Sequence, residues 1–172
     1  AYPRLGSNAP FRGVKGQIYE GGIRTPTVVS WAGTLAPRTL DAPVCAADWM
    51  PTFTALAGAE APPEARWDGR DIWPLIAGEA EAPKERELYW NFNDGRHLGA
   101  RKGDWKLIVN NSNRDNPRHE LFNLAEDPRE QRDLAAANPG KVAGLRELLE
   151  SHQAQDNTSA RADVTGPDVR EA

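Results

Sequence analysis

The stretch HLGARKGDWKLIV (His97 to Val109) holds two short runs of β-forming residues around Lys102-Gly103. A glycine there supplies the positive φ of a tight hairpin, so antiparallel strands are predicted over 97–101 and 104–109. In the second strand Trp105, Leu107 and Val109 alternate with Lys106 and Ile108, which predicts one covered sheet face and a solvated one bearing Lys106. Outward from the hairpin, ELYWNF (Glu87 to Phe92) and HELFNL (His119 to Leu124) read as two further strands. The segment EDPREQRDLA (Glu126 to Ala135) reads as a polar turn with a proline stop. After it, NPGKVAGLRELLESH (Asn138 to His152) offers an Asn cap, proline at the first helical position, and Val142, Leu145, Leu149 and His152 at helical spacing. Four strands and one helix make a small α+β layer with the helix lying on the sheet.

The first half has a different character. TPTVVSW (Thr25 to Trp31) is continuous rather than alternating and rich in β-branched residues, the pattern of a short strand buried on both faces of a parallel or mixed sheet. In CAADWMPTFTALAG (Cys45 to Gly58), Asp48 is placed to cap a helix, with Pro51 in its first turn and Gly58 as its C′ residue; Phe53, Leu56 and Ala57 share one face. WDGRDIWPLIAGE (Trp67 to Glu79) predicts a turn at Asp68-Gly69 and a short helical turn ending at Gly78. A charged linker from Glu79 to Glu87 separates the halves. The predicted organisation is therefore 1–80, 81–152, and a polar, aperiodic, disordered tail at 153–172.

Bulk composition narrows the function classes. The chain has 172 residues, 39% hydrophobic, and a net charge of −4 without a basic block, which argues against a nucleic-acid partner. One cysteine excludes an internal disulfide framework and any multi-cysteine metal site. No apolar run approaches membrane-spanning length. His97, His119 and His152 show no metal-ligand spacing, so structural or exposed roles are expected; His97 alone leads a strand whose loop could reach a pocket.

The segment FRGVKGQIYEGGIRTP (Phe11 to Pro26) sets Lys15 between two glycines and follows it with Glu20-Gly21-Gly22 and Arg24. An ammonium on such a turn is a compact point charge suited to a sulfate or phosphate oxyanion. A solvated surface lysine fits the same string.

Taken together, NAPFRGVKGQIYEGGIRTP, DWMPTFTALAGA, DGRDIWPLIAGE, GARKGDWKLI and ELFNLAEDPREQRDLA resemble the C-terminal part of the type I, formylglycine-dependent sulfatases, in order, from about Asn8 to Leu149. The resemblance implies an alkaline-phosphatase-like α/β fold: here the end of a mixed sheet plus a small α+β subdomain with a four-stranded antiparallel sheet and a C-terminal helix. It implies hydrolysis of aryl or carbohydrate sulfate esters through formylglycine and Ca²⁺. Lys15 matches the lysine that contacts the substrate's sulfate. Glu20, Gly21, Gly22 and Arg24 match the segment that follows, read mainly as structural, with Arg24 orienting a carboxylate such as Glu20 and a direct substrate role second. The family's nucleophile arises in a C/S-x-P/A-x-R motif; Cys45 begins CAADW, with Trp49 where arginine belongs, and is read as an ordinary thiol. The Asp-Asp and Asp-Asn pairs that bind calcium are absent, so no metal ligand is assigned in this chain. The implied partners are a sulfated small molecule or glycan and the N-terminal half of a sulfatase domain, with a periplasmic or secreted setting by family tendency. Two alternatives stand beside this. One is a phosphate or phosphonate monoester hydrolase of the same superfamily. The other is a non-catalytic partner- or glycan-binding module presenting Arg96, Arg101, Lys102 and Trp90.

Overall fold

The computed structural model describes residues 7–156. Backbone packing divides the chain into two compact units: one comprises the described residues up to Arg24 together with those from Glu87 onward, and the other spans Thr25–Arg86.

The first unit is built on four antiparallel strands in sequential order: β1 (Glu87–Phe92), β2 (His97–Lys102), β3 (Trp105–Asn110) and β4 (Arg118–Asn123). Gly103 takes φ +58 at the β2–β3 turn, as the hairpin requires. The register sets Leu98 opposite Val109, and Ala100 and Leu121 on either side of Leu107. These side chains share one face, where Leu145 and Leu149 of helix α4 (Pro139–Gln153) cover them. Burying such aliphatic side chains is worth about 1.5–3 kcal/mol each. The helix thus lies on the sheet as its spacing predicts. Asn138 does not cap it, because its side-chain amide donates back to the Leu134 carbonyl instead.

The opposite face is not solvated. Ile108, Phe122 and Leu124 pack with Ile18 from the segment that carries Lys15, and Tyr19 and Trp90 close the cluster. Lys106, expected in solvent, is 0% exposed. The correction has a local cause: the segment 8–24, distant in sequence, folds back over this face and brings Glu20 to the ammonium. Of the residues considered for a recognition surface, Trp90 is drawn into the same cluster and Lys102 pairs with Glu87 at the surface, while Arg96 remains exposed. Arg101 instead turns its Nε donor onto the Gly103 carbonyl.

The second unit holds helices α2 (Trp49–Leu56) and α3 (Trp73–Ala77), with Gly58 (φ +63) and Gly78 (φ +83) at their ends as predicted. Asp48 does not cap α2 with its side chain. It is fully buried and accepts from the Cys45 N–H (2.7 Å), the Arg70 N–H (3.1 Å) and the Arg86 guanidinium (2.5 Å). Residues 25–31 form no strand. A strand needs a neighbour for its backbone groups, and the one sheet among the described residues does not extend to this segment. Val28 is consequently 91% exposed, and Val29, Trp31, Trp49, Phe53, Leu56, Trp73 and Ile76 line an open apolar groove. The common face of Phe53 and Leu56 looks outward into that groove.

Candidate functional site

Lys15 sits at the crown of a tight turn. The Gln17 N–H donates to the Val14 carbonyl (3.1 Å), while the Val14 N–H donates to the Gln17 side-chain oxygen (3.1 Å), so the four-residue loop is closed twice. Gly16 takes φ +88, the left-handed value that a type II turn needs at its third position. Lys15 itself is exposed and has no hydrogen-bond or ion-pair partner among the described residues. A rigid backbone thus presents a free cation.

The Glu-Gly-Gly that follows is dictated by close approach. Gly21 and Gly22 lie in the short helix α1 (Glu20–Ile23), whose backbone presses on the turn. A Cβ on Gly21 would lie 2.6 Å from the Arg12 carbonyl oxygen, and one on Gly22 would lie 2.0 Å from that of Gln17. Only hydrogen fits at either position. With those side chains absent, the Gly21 N–H reaches the Arg12 carbonyl at 2.7 Å and draws the loop shut.

Beneath the loop lies a buried ionic network. The Lys106 ammonium is 2.8 Å from a carboxylate oxygen of Glu20 and 2.8 Å from one of Glu130, and all three side chains are nearly or fully inaccessible. The second Glu130 oxygen accepts the Glu20 backbone N–H at 2.6 Å. Burial pushes the Glu130 carboxyl above the usual range, and the neighbouring Lys106 opposes that shift. Arg24 reaches the outer oxygen of Glu20 at 3.8 Å and lies over the Phe11 ring, with its side chain 54% exposed. Arg24 is therefore engaged within the loop.

A second cluster anchors the other end. Arg12 donates to the Glu130 carbonyl (3.0 Å), to the Tyr19 hydroxyl (3.1 Å) and to Glu120 (3.1 Å), and its guanidinium stacks on the Tyr19 ring. The Tyr19 hydroxyl donates to Glu120 over a short contact. Burial, then the Glu120 hydrogen bond, raises the tyrosine's pKa. Asn110 donates to both Tyr19 and Glu120 and contacts His97 Nδ1 at 2.9 Å.

His97 comes into the neighbourhood of Lys15 through Phe92. The Phe92 ring borders Gly16 on one side and lies 6.4 Å, centroid to centroid, from the His97 imidazole on the other. The other histidines are elsewhere: His152 stacks on Tyr89, and His119 has a pKa lowered by burial and by Arg146. Sequence reasoning missed Lys106, Glu120 and Glu130. The available signal was the acidic spacing Asp127, Glu130, Asp133 in the EDPREQRDL turn.

Among the described residues no three Asp, Glu, His or Cys side chains converge to hold a metal ion. These residues do not offer a hard cation such as Ca²⁺ its set of oxygen ligands. Cys45 is half-buried, 3.5 Å from the Arg86 guanidinium, with its pKa raised by burial and then by Asp48. That is the setting of an inert thiol.

Comparison with known proteins identifies the family of the chain. A family model described as N-sulphoglucosamine sulphohydrolase, C-terminal, matches residues 14–155. The chain is 30% identical over 165 residues to an N-acetylgalactosamine-6-O-sulfatase of Bacteroides thetaiotaomicron, covering 88% of this chain and 32% of that protein. It is 32% identical over 159 residues to the steryl-sulfatase of Rattus norvegicus, covering 75% of this chain and 27% of that one. Among solved structures, Ps i-CgsB superposes with a TM-score of 0.73 at 28% identity, covering 84% of this chain and 32% of the other. The chain spans 32% or less of the length of these relatives.

Proposed function

The chain belongs to the sulfatase family, in the C-terminal part of those alkaline-phosphatase-like enzymes, and on that premise we propose that it supplies the sulfate-contacting cation of a sulfuric ester hydrolase. The observation that carries this reading is the Lys15 turn: an exposed, unpartnered ammonium on a backbone fixed by two reciprocal hydrogen bonds and a glycine pair that admits no side chain. A preorganised cation of this kind offsets charge on the sulfate oxygens as the ester bond breaks. Its fixed backbone means that little reorganisation is needed at the moment of reaction. Arg24, held by Glu20 and Phe11, maintains the loop, and His97 and Phe92 form a wall beside it that a substrate's leaving group would meet.

The nucleophile and the metal-binding carboxylates of such an enzyme are not among the described residues here, so formylglycine and Ca²⁺ would come with the portion of the domain that the relatives possess and this chain does not span. The apolar groove lined by Trp31, Phe53 and Trp73 is the surface we assign to that portion, since the relatives are about three times as long. The substrate class is a sulfated carbohydrate or sulfated small molecule, supported by relatives named for N-acetylgalactosamine and steryl sulfates.

The test is Lys15→Ala in a catalytically complete enzyme in which this chain forms the C-terminal part. Turnover of an aryl sulfate is expected to fall by on the order of a hundredfold, the usual consequence of losing one oxyanion partner. Stability should hardly change, because Lys15 is exposed at the crown of its turn. Turnover remaining within about threefold of the parent would exclude the assigned role.

A further inference from the structure

Glu130 lies far from Lys15 in sequence and belongs to the EDPREQRDL turn, a segment the proposed chemistry does not use. Its two neighbouring acids have local work. Asp127 accepts the backbone N–H groups of Gln131 and Arg132 at 2.8 Å each, shaping the turn. Asp133 accepts those of Leu121 and Ala135, tying the segment to the free edge of β4. Glu130, between them, points inward and is completely buried. Its backbone sits at φ +56, an unusual conformation for a side chain of this size.

What this residue touches is the loop carrying Lys15, at both of its ends. The Glu130 carbonyl accepts from Arg12 (3.0 Å), just before the turn, and its carboxylate accepts the Glu20 N–H (2.6 Å), just after it. The same carboxylate shares Lys106 with the Glu20 side chain. Everything between these two anchors, residues 13–19, is the presenting loop. We propose that Glu130 is a positioning residue that clamps both ends of the Lys15 loop and so sets the location of the sulfate-contacting ammonium. The EDPREQRDL turn thereby couples the antiparallel sheet to the reaction. The inference rests on the Lys15 reading given above.

A mere core contact and a positioning clamp differ in how they combine with Lys15. In the catalytically complete enzyme, Glu130→Ala is expected to lower turnover of an aryl sulfate by on the order of tenfold or more, because displacing a reacting group by about 1 Å costs up to about a hundredfold. Glu130→Gln keeps an oxygen for the Glu20 N–H and bears the same backbone strain. Its amide NH2 then faces the Lys106 ammonium, so it is expected to recover only part of the turnover lost in Glu130→Ala. In a Lys15→Ala background the Glu130→Ala change is expected to add less than about twofold, since the group being positioned is gone. A Glu130→Ala loss that keeps its full size in that background overturns the proposal. A Lys15→Ala enzyme with unchanged turnover overturns the Lys15 reading instead.

If Glu130→Ala does not fold, Arg12→Met loosens the other anchor at a partly exposed side chain and takes its place in the same cycle, with the same non-additivity expected. The 172-residue chain gives a readout free of catalysis. Amide hydrogen exchange at Gly21 and Gly22 is expected to quicken by at least about tenfold in Glu130→Ala while β3 amides keep their rates. Equal acceleration in β3 would mark general loosening and overturn the clamp.

Discussion

Lys106→Met removes the ammonium at the centre of the buried network while nearly preserving side-chain length. Two carboxylates that each lie 2.8 Å from that ammonium, Glu20 and Glu130, then face each other in a site closed to water. Breaking a buried ion pair in this way typically costs about 3–5 kcal/mol, because the uncompensated charge stays desolvated. In a unit of this size each kcal/mol shifts the melting temperature by about 4 °C or more, so a fall above about 10 °C is expected in thermal unfolding followed by circular dichroism. The loss has a direction in pH. Burial already raises the Glu130 carboxyl, and Lys106 opposes that. A carboxylic acid whose folded pKa lies above its unfolded value of about 4.3 stabilises fully below that value and less as pH rises through the folded one. Without Lys106 the folded value climbs further, so the deficit is deepest near neutral pH and shrinks on acidification toward about pH 5. Adding Glu20→Gln and Glu130→Gln to Lys106→Met neutralises the site and should recover most of the stability. A Lys106→Met deficit under about 1 kcal/mol at neutral pH, or one independent of pH, would refute the reasoning.

Three further outcomes are expected. Gly22→Ala places a methyl 2.0 Å from the Gln17 carbonyl oxygen and 2.7 Å from that of Val14, so the loop must open; destabilisation of about 1–3 kcal/mol in urea titration is expected, with a complete enzyme losing turnover alongside. Asp48→Ala leaves Arg86 buried without its partner and two backbone N–H groups unpaired, for a loss of about 3–5 kcal/mol in the second unit. Burial acts to raise the Asp48 pKa, but hydrogen bonds from Arg86, Cys45 and Arg70 outweigh it and hold the carboxyl below its usual range. Its stabilisation is therefore present above the unfolded pKa of about 3.9 and lost as pH falls through the folded value, which acid titration of the parent chain would show. Finally, the 172-residue chain by itself is expected to release no product from a chromogenic aryl sulfate with calcium present, beside an active full-length relative; activity that disappears with Cys45→Ala would reveal that thiol as a nucleophile after all.

Local patterns determined most of the secondary structure. The alternation in WKLIV, the turn glycine at 103 and the spacing of Leu145 and Leu149 each act over a few residues, so the four-stranded sheet and its helix were legible directly. The Lys15 turn was legible for the same reason, since Gly16 and the Glu-Gly-Gly string encode backbone requirements that do not depend on distant partners. Among the readings that failed, two did so because their decisive contacts are long-range. TPTVVSW has the composition of a buried strand, yet a strand exists only where another backbone pairs with it, and no local feature reveals whether one does. Lys106 alternates with apolar neighbours as a solvated residue would, and only tertiary folding brings Glu20 and Glu130 to it from either side in sequence. A lone charge in a strand carries no mark of its partner. The energy that holds it inside belongs to the pairing, and the pairing is a property of the folded chain.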